Sequence, residues 1–181
     1  NLLCVEGTLD YSPYTIELLN ILQKDLIEKS DFEKLVLYGG FQNPENQNKL
    51  LSEIDYRGKV NREDLPSIYK DAVYLSLDVN AASNNTDKEA LSCVIPILGF
   101  DTGALIELVG DAGVIVSYGS NPWEFNFPKV APLIEAALLV LENYNYYSST
   151  SRAMAIKNFD ISLIIEKYIE TIKKACNNED R

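Results

Sequence analysis

Apolar and polar positions follow two alternating rhythms along this chain. Nearly unbroken apolar runs stand at residues 2–5, 35–38, 73–77, 94–98 and 114–116, with a half-polar run at 54–57. Between them apolar residues recur at helical spacing, as Ile16, Leu19, Leu22, Leu26 and Ile27 do. The pattern predicts six strands over those runs. It predicts helices over about 14–29 and 63–70, with shorter ones through Leu50 and Leu51, from Glu89 to Cys93, and up to Val109. The last third changes character: helices are expected over 128–142, 148–157 and 162–175, joined by loops at 121–128 and 143–151. Strands that alternate with helices and are apolar on both faces imply a six-stranded parallel sheet covered on each side, a Rossmann-like α/β fold.

In an open parallel sheet ligands sit outside the carboxyl ends of the strands. The loops at 7–12, 58–61 and 78–87 are therefore the places to look. Asn61 is expected to cap the helix that follows it, with Asp64 in its first turn. Ser83, Asn84, Asn85 and Thr86 stand where a loop enters a helix, so their N–H groups form either an anion site or an ordinary helix cap. The first strand is followed only by Gly7, without a G-x-G-x-x-G run, which argues against a Rossmann-type dehydrogenase.

Composition narrows this further. With 181 residues and 46% hydrophobic content the chain suffices for one buried core, so residues 1–181 are read as a single domain. The net charge of −11 disfavours nucleic acid and anionic lipid as partners, although Arg57, Lys59 and Arg62 cluster. No apolar run reaches membrane-spanning length. Three cysteines without CxxC spacing fit a reducing, cytoplasmic compartment, with Cys4 and Cys93 read as small buried hydrophobes. In that compartment the sequon at Asn84 carries no glycan. The absence of histidine removes Ser-His-Asp and Cys-His catalysis and imidazole metal sites. Asp78-Val79-Asn80 offers too few acids for magnesium, so no metal is expected. Trp123, Phe125 and Phe127 form an aromatic group that either meets a further domain or covers the sheet edge. The start on an apolar strand suggests a fragment lacking an upstream part.

Several ordered segments then carry a resemblance. Residues 56–72, from Tyr56-Arg57-Gly58-Lys59-Val60 to Tyr69-Lys70-Asp71-Ala72, resemble the strand end "F-x-G-x-V" followed by "S-x-x-E-L-x-x-x-Y-x-x-A-D". Glu89-Ala90-Leu91-Ser92-Cys93-Val94-Ile95-Pro96-Ile97 resembles "E-A-M-A-C-G-L-P-V". Gly103 to Gly113 resembles "G-G-x-x-E-L-V-G-D-A-G", Gly7 to Pro13 resembles "G-t-m-d-y-x-P", and Asn158-Phe159-Asp160 resembles a closing aromatic element. In this order they resemble the C-terminal domain of the retaining GT-B glycosyltransferases, of the group 1 or family 4 type.

The resemblance implies one half of a GT-B fold, with a nucleotide diphosphate sugar (a UDP or GDP sugar) as co-substrate and no cofactor. It implies a separate N-terminal domain for the acceptor, absent from this fragment, to which any membrane contact would belong. It places base and ribose near Arg57, Lys59 and Val60, and the diphosphate and sugar over residues 82–87, with Gly7 and Thr8 beside the donor. Glu89 matches the second acid of a Glu-x7-Glu motif, which accepts hydrogen bonds from ribose hydroxyls. Ala81 occupies the place of the first acid, which contacts the donor sugar, so no catalytic residue is assigned. The cations expected near Thr8 and Pro13 are also missing. Two functions follow: sugar transfer to an acceptor hydroxyl with retention, or a non-catalytic glycosyltransferase-like subunit that stabilises a partner.

Overall fold

The computed structural model describes residues 2–178. Six strands, β1 (Leu2–Thr8), β2 (Leu35–Gly40), β3 (Asp55–Tyr56), β4 (Val73–Leu75), β5 (Ile97–Phe100) and β6 (Gly113–Val116), form one parallel sheet in the order β3-β2-β1-β4-β5-β6. Leu2 pairs with Leu35 on one side and with Val73 on the other, so strand order reverses at β1. A crevice opens at such a reversal, at the carboxyl ends of the strands.

The period of two along each strand sends alternate side chains to opposite faces. Leu35 and Leu37 join Leu2 and Cys4 in one core, under α1 (Thr15–Lys29) and α5 (Val130–Glu142), which contribute Leu18, Leu22, Leu133 and Val140. Val36 and Tyr38 join Val5, Tyr74 and Ile97 in the other. That second face is covered by α2 (Leu65–Ile68), α3 (Asn85–Ser92), α4 (Leu105–Val109) and α6 (Tyr144–Phe159), through Leu65, Leu91, Val109 and Ala155. Each fully buried leucine contributes about 1.5–3 kcal/mol by leaving water. Burial on both faces is why the strands read as unbroken apolar runs.

Six strands with helices on both faces are as expected. The fifth, however, expected over 94–98, runs over Ile97–Phe100, because Val94 (φ +69°) still belongs to the turn that closes α3. The other differences also have local causes. The stretch 143–151, expected as a loop, is helical from Tyr144 onward. Its Tyr, Asn and Ser residues are weak helix formers, but Ser151 and Ala155 are buried, and the Ser151 hydroxyl donates to Ala112 O and Tyr147 O. Tertiary packing overrides propensity there. The helix expected through Leu50 and Leu51 is instead a 3₁₀ turn at Pro44–Lys49, capped by Asn43. Residues 62–68 split into a 3₁₀ turn, Arg62–Asp64, and α2, and the Asn61 side chain makes no capping hydrogen bond. Cys4 is buried, whereas Cys93 is half-buried. Trp123 is 77% exposed, while Phe125 and Phe127 pack edge-on against Tyr11 and Tyr14. The last helix, α7 (Ile161–Asn178), presents Ile161, Ile165, Tyr168 and Ile172 to solvent. No helix among the described residues is long and apolar enough to cross a membrane.

Candidate functional site

Three loops at the carboxyl ends of the strands build the crevice. The loop after β1 is pinned by Asp10, whose carboxylate accepts hydrogen bonds from the N–H groups of Gln42 (2.6 Å) and Asn43 (3.1 Å) and from Asn46 Nδ2 (2.8 Å). Partial burial pushes the Asp10 carboxyl up, but these three bonds outweigh it and hold it below the usual carboxylate range. The loops after β1 and β2 thereby become one wall.

The second loop leaves β3 through Gly58, whose φ of +72° suits a residue without a β-carbon. The Gly39 N–H donates to Gly58 O at 2.9 Å, and the Tyr56 hydroxyl donates to Gly39 O at 3.0 Å. This brings the Lys59 side chain across Gly40: a β-carbon on Gly40 would stand 3.0 Å from Lys59 Cε. Arg57 points elsewhere. It forms an ion pair with Asp55 at 2.8 Å, donates to the Tyr38 hydroxyl at 3.0 Å and lies 5.8 Å over the Tyr38 ring. It lines a separate cavity with Val36, Ile68 and Ala72.

The third loop leads into α3. Asn84, almost fully buried, caps the helix: its Oδ1 accepts from Thr86 N at 2.9 Å, and its Nδ2 donates to Asp78 Oδ2 at 2.8 Å. The Thr86 N–H is therefore already taken within the protein. Ser83 is exposed and receives a hydrogen bond from Lys88 Nζ. Ala81 is half-buried, and its carbonyl accepts the Ala104 N–H at 2.9 Å. Asp87, in the first turn of α3, is buried. Burial pushes its carboxyl up to about 7; the neighbouring Ser76 hydroxyl opposes the shift and the Asp78 charge adds to it. Burial also raises Asp78.

These loops enclose a pocket of about 370 Å³ whose lining includes Gly7, Gly39, Lys59, Val60 and Thr86. Arg62 and Leu65 lie on its edge and also line a second pocket, of about 430 Å³, with Asn85, Glu89, Ser92 and Phe159. Between the two, Arg62 Nη2 donates to Glu89 Oε1 at 2.5 Å. The structure thus brings Gly7, Lys59, Val60 and Thr86 into one pocket and sets Glu89 and Asn85 in the adjoining one. Thr8, paired with Gly40, and Arg57, Ser83 and Asn84 are not among the residues lining either pocket.

Two participants escaped the sequence reading of the site. Arg62 was visible in a basic cluster and, with Lys59 and Arg57, as a candidate replacement for the missing phosphate-binding cations, but nothing in its spacing tied it to Glu89, twenty-seven positions away. Asp87 was visible as an acid, but its burial follows from α3 packing on the sheet. Among the described residues no group of three or more His, Cys, Asp or Glu side chains is placed to hold a metal ion.

No protein-family model and no curated protein sequence matches the chain. Solved structures do. Pneumococcal O-GlcNAc transferase GtfA, determined in complex with UDP and GlcNAc, is similar over 96% of this chain and 35% of its own, at 18% identity and a TM-score of 0.66. A chain of the GtfA/B complex is similar over the same shares, at 18% identity and a TM-score of 0.77. Anabaena Alr3699/HepE, determined with UDP-glucose, is similar over 96% of this chain and 48% of its own, at 15% identity and a TM-score of 0.69. At these identities the likeness is one of fold: the chain has the fold of one Rossmann-like half of a GT-B glycosyltransferase. It spans about a third to a half of the length of these neighbours.

Proposed function

We propose that this chain is the donor-binding, C-terminal domain of a retaining GT-B glycosyltransferase of the family 4 type. It holds a nucleotide diphosphate sugar, UDP- or GDP-linked, while an N-terminal domain of the same cytoplasmic protein presents the acceptor. The observation that carries this reading is the convergence of the β1 end, the 58–62 loop and the start of α3 on one crevice at the reversal of strand order. The neighbours solved with UDP and UDP-glucose support the ligand class.

The pocket suits such a ligand part by part. Val60 and Leu65 offer an apolar wall to a base, and Glu89, in the adjoining pocket, offers a carboxylate to two vicinal hydroxyls. Lys59 brings a cation beside Gly7 and Gly40 for the diphosphate. In the transfer the bond from the anomeric carbon to the nucleotide oxygen breaks and one to the acceptor oxygen forms, with the acceptor proton released. Stabilising the departing diphosphate requires oriented donors or cations, and this domain alone is inactive because it holds no acceptor.

One observation favours the second reading, a non-catalytic partner subunit. Ala81 carries only a methyl group where the sugar-contacting acid of similar proteins would stand, and its carbonyl is engaged by Ala104. Calorimetry with UDP-glucose and GDP-mannose tests the binding reading: saturable binding that Glu89→Ala abolishes supports it, and no binding of either sinks it. Turnover by the protein together with its N-terminal domain, alone and with partner candidates, separates the two readings.

A further inference from the structure

In a chain of net charge −11, the charged side chains that line the 370 Å³ pocket among the described ones are two cations, Lys59 and Arg62. They differ in state. Lys59 makes no ion pair among the described residues, whereas Arg62, which lines both pockets, is bound to Glu89 of the second. The Arg62 side chain is 81% exposed and the Glu89 side chain 25% exposed, so the arginine is the solvent-side member of the pair.

We propose that the Arg62–Glu89 pair is a latch opened from both ends by one ligand, which makes the site select molecules carrying both an anionic group and a vicinal diol. This rests on the nucleotide-binding reading above and adds how the site discriminates. A phosphorylated nucleoside offers Arg62 a phosphate, which the planar guanidinium can grip with two parallel N–H donors. It offers Glu89 two hydroxyls. One ion pair is exchanged for two sets of charge-assisted hydrogen bonds, and both charges stay partnered. A ligand with only one of these ends must compete against the pair and leaves the other charge without its partner. Because Arg62 is exposed, the closed pair resists opening only weakly, so the latch is released by a matching ligand without unfolding anything.

The consequence is a set of opposite shifts that simple mutual stabilisation does not produce. Binding of UDP, uridine and inorganic pyrophosphate is measured by calorimetry on the wild type and on Arg62→Gln, Arg62→Lys and Glu89→Gln. Arg62→Gln is expected to weaken UDP about tenfold, yet to tighten uridine about threefold by freeing Glu89. Glu89→Gln is expected to weaken uridine and to tighten pyrophosphate by freeing Arg62. Arg62→Lys, which keeps the charge without the fork, falls between wild type and Arg62→Gln for UDP. Superimposable melting curves for all four proteins show that the shifts arise at the site. The latch is overturned if Arg62→Gln changes UDP and uridine by the same factor, or changes neither. A wild type that binds none of the three overturns the nucleotide-binding reading and the latch with it.

Discussion

Gly103 is wedged against the backbone of Ala81: a β-carbon on Gly103 would stand 2.3 Å from Ala81 O and 2.6 Å from Ala81 N. The contact fastens the turn after β5 to the loop that precedes α3, and the Ala104 N–H bond to Ala81 O completes it. Gly103 also has a φ of +57°, so a side chain there is unwelcome for two reasons. Gly103→Ala is expected to cost about 2–4 kcal/mol, read from urea unfolding. A loss below about 0.5 kcal/mol, within the range of ordinary surface changes, would show that the two loops are not so fastened.

Val94 offers the reverse case. It follows α3 with a φ of +69°, its N–H donating to Leu91 O and that of Ile95 to Ala90 O, the arrangement in which a helix usually closes on glycine. A β-branched residue is strained in this conformation. Val94 is 39% exposed, so the packing lost on its removal only partly offsets the relief of strain. Val94→Gly is expected to raise stability by about 1 kcal/mol, seen as a higher melting temperature. An unchanged or lower melting temperature would mean that the Val94 side chain contributes more than its exposure suggests.

Asp87 should make the protein less stable as pH rises. Its carboxyl is raised in the folded state to about 7 from an ordinary 3.8, chiefly by burial. The folded state therefore prefers the protonated form. This preference is fully present below about pH 4 and is lost as pH climbs through 7. Asp87→Asn, which cannot ionise, is expected to exceed the wild type by on the order of 2–4 kcal/mol at pH 8 and to match it near pH 4. Denaturation at the two pH values checks this; a difference that does not depend on pH would contradict it.

Asp55 has the opposite sign. The Arg57 guanidinium, aided by the Lys34 ammonium 2.8 Å away, holds its carboxyl down to about 2. Its contribution is present above about pH 4 and is lost as pH falls towards 2. Both cations are more than a third exposed, and solvent screening limits the gain to about 1 kcal/mol. Asp55→Asn is expected to melt lower than the wild type at pH 6 and to converge with it only below about pH 2. An equal deficit at both pH values would mean that packing, and not charge, holds Asp55.

How much of this was legible beforehand depended on whether a feature was periodic. The strands around Leu37 and Ile97 and the helix carrying Leu18 and Leu22 follow from spacing alone, because burial on both faces leaves an unbroken apolar trace. The start of α6 did not, since Tyr144 to Thr150 gain their helix from the packing of α6, with Ser151 and Ala155 buried, against α3 and the turn at Ala112. The site was half legible. Gly7, Lys59, Val60 and Thr86 fall together because strand ends meet at one edge of a parallel sheet. The turning away of Arg57 depends on Asp55 and Tyr38, and the pairing of Glu89 depends on Arg62. These are side-chain partnerships between separate elements, which no local pattern records.

Under the proposed function a nucleotide sugar occupies the crevice at the reversal of strand order. Backbone amide shift mapping of the ¹⁵N-labelled protein, titrated with UDP-glucose, tests it most directly. The expected result is saturable shifts confined to the neighbourhood of Gly7, Gly39, Val60, Thr86 and Glu89. Saturable shifts along α1 or around the Arg57 cavity instead, or no shifts at all, would contradict it.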